Sequence, residues 1–266
     1  MKLPFMDTLG SVGLVGERKA TALLCLGFYT TLFFMIGLSA RTELPEWTPV
    51  FTAMTLMYLV AFFGVAAEWF WGRWFATGLG YWGMTMTVMA WVTTRSLPPA
   101  MIIFGTMHGL VSLCLGGEKM AAIFDAKPQW RARWKLDEQG VIRVRKSVTR
   151  AASSLPALIM FALAPREGQE ALALTAFALA LVGIGGLLAG RTLGVMAFVG
   201  GAAATAALVV FGHEPSQIYA VYQYAPFGAM GGAALTPILG IVASVLLVAA
   251  ALPFAKPMAA YVLRRR

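Results

Sequence analysis

Runs of about twenty apolar residues recur along this chain, and a run of that length can satisfy its backbone in lipid only as a helix. Eight can be marked, at 20–40, 49–67, 74–94, 98–115, 150–165, 171–190, 192–212 and 228–252. Barrel strands would instead alternate apolar and polar residues over about ten positions. Composition agrees: 59% of residues are hydrophobic and 12% charged, against roughly 25% charged in a soluble domain. The expected fold is all-α, a polytopic transmembrane bundle of eight spans.

One long polar interval breaks the pattern. Between Glu118 and Arg150 lie Lys119, Lys127, Arg131, Arg133, Lys135, Arg143, Arg145 and Lys146, against Asp125, Asp137 and Glu138 as further acids. Lys and Arg are retained on the cytoplasmic side during insertion, so this segment is read as cytoplasmic. Both termini then fall on the same side. The inside segments hold Lys2, Arg18, Lys19, Arg73, Arg191, Lys256 and Arg264–Arg266, while the outside joints hold Arg41, Arg95 and Arg166. The net charge of +9 reads as attraction to anionic headgroups of the inner leaflet, not to nucleic acid. Compact loops and small size suggest a bacterial-type cell inner membrane, crossed many times. The N-terminal residues, with Pro4 and Asp7, do not form a cleavable signal, and the first span acts as an uncleaved anchor.

Three segments follow: a first four-span half over 1–117, a basic cytoplasmic loop over 118–149, and a second four-span half with a basic tail over 150–266. The joint around Glu68 and Arg73, an interface ion-pair candidate, is the weakest turn; if it were helical, the count would fall to seven. Four spans on each side of a loop invite a repeat reading. No self-similarity supports it: the first half is rich in Trp, Phe and Met, the second in Ala and Gly.

Small residues recur at fourfold spacing in Gly186, Gly190 and Gly194, and in Gly228, Gly232, Thr236, Gly240 and Ser244. Such spacing places them on one helix face, where a neighbouring helix can approach closely. Pro237 removes a backbone donor and is expected to kink the last span, which Pro253 is expected to close. Cys25 and Cys114 fall inside spans as small core residues.

His108 is the ionisable side chain closest to the middle of a span, in a fourth helix opened by Pro98 and Pro99. Such a residue defaults to a ligand or proton role. The plainer expectation is a neutral imidazole bonded to a neighbour such as Thr85, Thr87 or a tyrosine. Phe104 and His108 form an F-x-x-x-H fragment that resembles one motif of CAAX-type intramembrane proteases. The paired glutamates of that family are missing, with Glu68 standing alone. No membership is assigned.

In the central loop, Pro128 could open a short helix with Trp130 and Trp134 on one face and Arg131, Arg133 and Lys135 around them. That arrangement suits the inner leaflet, or alternatively a docking partner. Val141–Val148 alternates apolar and basic residues and reads as extended. Between 213 and 227, Tyr219, Tyr222 and Tyr224 suggest an outer-face contact, an aromatic belt or short interfacial helix.

No metal-ligand spacing, phosphate loop, dinucleotide fingerprint or nucleophile elbow is present, so neither a cofactor nor a catalytic residue is assigned. The function expected first is a non-catalytic integral membrane subunit of a larger complex, with other membrane subunits and lipids as partners. A small-molecule or ion transporter with a site near His108 comes second. An intramembrane enzyme acting on lipid or peptide comes third.

Overall fold

The computed structural model describes residues 14–95, 98–125, 137–213 and 232–264. Among these there are only helices, turns and short joints. In chain order the helices are α1 (Leu14–Glu43), a 3-10 turn (Pro45–Trp47), α2 (Thr48–Ala66), α3 (Phe70–Thr94), α4 (Pro99–Cys114), α5 (Glu118–Asp125), α6 (Glu138–Ala162), α7 (Glu170–Leu188), α8 (Leu193–Phe211) and α9 (Gly232–Arg264).

Among the described residues, five segments are long and apolar enough to cross a membrane: α1, Pro45–Ala66, α7, α8 and the Pro237–Pro257 stretch of α9. The pair α4–α5, bent by 70°, makes a sixth if taken as one broken span. Eight were expected. The difference arises because α3 is diluted by glycine, threonine and Arg73, α4 has 16 residues, and the first half of α6 is basic. The surface suits lipid: Phe28, Phe34, Phe63, Leu181 and Val245 are exposed, whereas Lys19, His108, Ser154 and Thr205 are buried. A protein in water would favour the reverse.

The described helices fall into two compact units, α1–α5 and α6–α8 with α9 from Thr236. In the first, hydrogen bonds fix the register. Arg18 Nη2 donates to the carbonyls of Leu113 and Gly116, while Tyr29 Oη donates to that of Phe104. Numbers rise along α1 as they fall along α4, so the two are antiparallel. Ser112 Oγ to the Thr77 carbonyl, and Thr87 Oγ1 to that of Met101, do the same for α3 and α4.

The joint at 68–73 is a true turn. Trp69 N–H donates to the Gly64 carbonyl at 2.9 Å and Glu68 N–H to that of Val65 at 3.2 Å. This is a Schellman ending, but its left-handed position is occupied by Glu68, at φ 55, where glycine is usual. Immediately beyond it, a Cβ on Gly72 would lie within 3 Å of Gly64 backbone atoms. Glycine here allows α3 to start flush against α2.

In the second unit, the same ending closes α7 with Gly190 at φ 68, through Arg191 N–H to Gly186 and Gly190 N–H to Leu187. A Cβ on Gly186 would sit 2.8 Å from Gly194 Cα, so α7 and α8 meet backbone to backbone. Gly240 of α9 faces Val209 and Phe161, and Ser244 Oγ donates to the Ala202 carbonyl at 3.0 Å.

Two expectations are corrected. Val141–Val148 is helical, not extended: Asp137 caps α6 by accepting from Gly140 N–H at 2.6 Å, and Val144, Val148 and Ala151 then share a buried face. Nor does Pro253 close α9, which runs on through Pro257. Pro253 cannot donate to the carbonyl four residues back, that of Ala249. Arg150 Nη1 takes that carbonyl at 2.7 Å, and Ser147 Oγ donates to the adjacent Ala250 carbonyl.

Candidate functional site

His108 lies at the centre of the first unit and is 1% exposed. Its Nδ1 is 2.8 Å from the Phe104 carbonyl, four residues back on α4, and its Nε2 is 2.7 Å from Tyr58 Oη on α2. A carbonyl can only accept, so Nδ1 carries a proton; in a neutral imidazole, the form that burial away from any carboxylate favours, Nε2 accepts from the Tyr58 hydroxyl. Both nitrogens are then in use. The Phe104 carbonyl also receives Tyr29 Oη at 3.1 Å, which joins α1 to the same point. The partner is thus a tyrosine; Thr85 and Thr87 bond to carbonyls instead.

Aromatic rings enclose this chain of bonds. The His108 ring centroid lies 4.2 Å from those of Tyr29 and of Phe104, and Phe33 stacks on Tyr58 at 5.4 Å. On the fourth side stands Gly83 of α3. A Cβ there would lie 2.0 Å from His108 Cγ, so the imidazole occupies the space that a side chain on α3 would fill. Gly80, one turn earlier, plays the same part for Ser112, and Gly105 for Thr87. The result joins four helices through one polar pin set among aromatic rings and glycines.

A second polar cluster marks one end of the same unit. Lys19, 2% exposed, meets Glu68 with Nζ–Oε1 at 2.6 Å. The ion pair of Glu68 is thus with Lys19, 49 residues away, rather than with its neighbour Arg73. Arg73 Nη1 donates to the Leu115 carbonyl at 3.2 Å. With Arg18 on Leu113 and Gly116, these cations cover the carbonyl ends of α2 and α4, where the helix dipole favours positive charge.

At the far end of the second unit, Arg166 donates to the carbonyls of His213 and Phe161 and lies over the Phe161 ring, 4.4 Å from its centroid. Gln169 donates to the Phe211 carbonyl and accepts from His213 N–H. The joint between α6 and α7 thereby caps the end of α8.

Of the other predicted positions, Gly186, Gly190, Gly194, Gly240 and Ser244 stand at helix contacts or turns, and Gly232 opens α9. Trp130, Arg131, Arg133, Trp134, Lys135, Tyr219, Tyr222, Tyr224 and Gly228 lie outside the described residues, as does the side chain of Thr236. Sequence reasoning missed Tyr29, Tyr58 and Gly83. Both tyrosines stand mid-run, far from the helix ends where tyrosine gathers at membrane interfaces, and that displacement was a usable signal.

Among the described residues, no three His, Cys, Asp or Glu side chains gather as a metal site, and both cysteines are free thiols. Comparison with family models, curated proteins and solved structures returned no match.

Proposed function

We propose that this chain is a non-catalytic integral membrane subunit of a larger membrane complex. It would cross the cell inner membrane eight times with both termini in the cytoplasm. One observation carries the reading: His108, a histidine buried mid-helix, has both nitrogens and its ring faces committed to its own bundle. A ligand site would keep one of them open. Eight crossings are supported by α3, whose 25 residues extend about 37 Å and bond to the antiparallel α4 and its cap from Arg73 to Thr87. The charge distribution favours the assigned sides. In the second unit, Arg143, Arg145, Lys146, Arg191 and Lys256 belong to one end, and Arg166, Glu167 and Glu170 to the other.

Mild-detergent purification from the native membrane, followed by quantitative mass spectrometry, tests it. Membrane proteins co-eluting in fixed stoichiometry are expected. A lone chain that also accumulates a solute in vesicles would overturn the reading in favour of a transporter. That alternative is favoured by the depth of His108.

A further inference from the structure

We infer that the seam between α6 and α9 is a binding site for the phosphate of an anionic phospholipid. Arg143, Lys146 and Arg150 follow one another at spacings of three and four along α6, which aligns them on one face. Across the seam, Lys256 lies seven residues beyond Ala249 and so on the same face of α9. The bonds from Ser147 to Ala250 and from Arg150 to Ala249 make the two helices antiparallel. Lys256 is thereby brought near the level of Arg143.

The depth of Arg150 makes this more than a solvated charge run. Ala249, its partner, lies eight residues inside Pro257, the basic end of the apolar stretch of α9, or about 12 Å at 1.5 Å per residue. A guanidinium at that depth is costly unless it is paired. One N–H donates to the carbonyl that Pro253 frees, and among the described residues no carboxylate lies within ion-pair distance of Arg150. Arg150 and Arg143 are half-buried, while Lys146 and Lys256 are exposed. The four cations form a path from the headgroup level inward, open along the flank of the seam. A phosphodiester fits: its oxygens match the planar donor fork of arginine. Acyl chains would continue along the apolar faces of the same helices, at Val245, Val248 and Leu252. A zwitterionic headgroup would bring its ammonium toward four cations, so the site favours net-negative lipids.

The inference needs only the apolar stretch of α9 to lie in lipid, and it stands whether or not the chain has partner subunits. To test it, the full-length protein is reconstituted in mixed phosphatidylcholine and phosphatidylglycerol vesicles, and the lipid retained after extraction is quantified. Phosphatidylglycerol should be enriched on the wild type. Retention should fall about tenfold in R143Q/K146Q, whose changes are on the accessible face, and stay unchanged in R41Q/R95Q, which removes two cations of the first unit instead. Arg150→Lys, which keeps the charge but loses the fork, should fall between. Equal retention by wild type and R143Q/K146Q would overturn the site. Displacement of the lipid by millimolar inorganic phosphate would assign it to a soluble phosphate and overturn the lipid assignment.

Discussion

Adding a single methyl group at Gly83 tests the central pin most directly. The Cβ of alanine would stand 2.0 Å from His108 Cγ, 2.4 Å from Cδ2 and 2.5 Å from Cβ, whereas carbon atoms pack at about 3.5–4.0 Å. Either α3 and α4 separate by about 1.5 Å or the imidazole leaves its place. Separation loosens a tight interface, at about 1–3 kcal/mol. Displacement breaks the bonds to Tyr58 and Phe104, each worth about 1 kcal/mol and more if a partner stays buried and unsatisfied. Relative to glycine, alanine recovers about 0.5–1 kcal/mol of helix propensity, so by the cheaper route Gly83→Ala should destabilise by up to about 2.5 kcal/mol, and by about 1–3 kcal/mol relative to an alanine that meets no clash. Gly109→Ala is the matched control: its nearest neighbour is Met84 Sδ at 3.5 Å, an ordinary contact, and it should be neutral or slightly stabilising. Denaturant unfolding in mixed micelles, followed by tryptophan emission, compares the two. His108→Ala in the Gly83→Ala background should recover part of the loss, because the methyl then enters the vacated volume. Equal stability of Gly83→Ala and Gly109→Ala would show that His108 is not wedged against α3, and the four-helix pin would fail with it.

Three further outcomes follow from the same geometry. Tyr58→Phe should cost about 1–3 kcal/mol by leaving His108 Nε2 a buried acceptor without its donor, measured by the same unfolding assay; a neutral result would contradict the assigned tautomer. Glu68→Gly relieves a left-handed backbone worth about 1–2 kcal/mol but strands the buried Lys19 ammonium, which costs about 3–5 kcal/mol, so it should destabilise. Arg95→Gly, at a second left-handed non-glycine position among the described residues, should stabilise, and thermal unfolding of the pair gives the opposed signs. Arg150→Ala should cost about 1–3 kcal/mol in the wild type and less in a Pro253→Ala background, where residue 253 regains an N–H for the Ala249 carbonyl; a double-mutant cycle with no coupling would reject the link.

What was legible in the sequence was set by local spacing. Most helix ends around the apolar runs fall within a few residues of expectation, because insertion into lipid depends on length and hydrophobicity along the chain. Gly186 and Gly194 meet across two helices joined by a short turn that holds Gly190, rather than lying on one helix face as their fourfold spacing suggested, because the chain reverses between them. The partners of His108, Glu68 and Ala249 come from 50, 49 and 99 residues away, and no periodicity encodes such pairings. Pro253 shows the division most plainly. On local rules it ends a helix, since it leaves a carbonyl unbonded and crowds the preceding turn. In the folded unit Arg150 takes that carbonyl, and α9 continues. The chain alone determined where helices could form, because backbone hydrogen bonding in lipid leaves no alternative. Tertiary packing decided which polar groups meet inside them, because a buried donor or acceptor must find a partner wherever the fold supplies one.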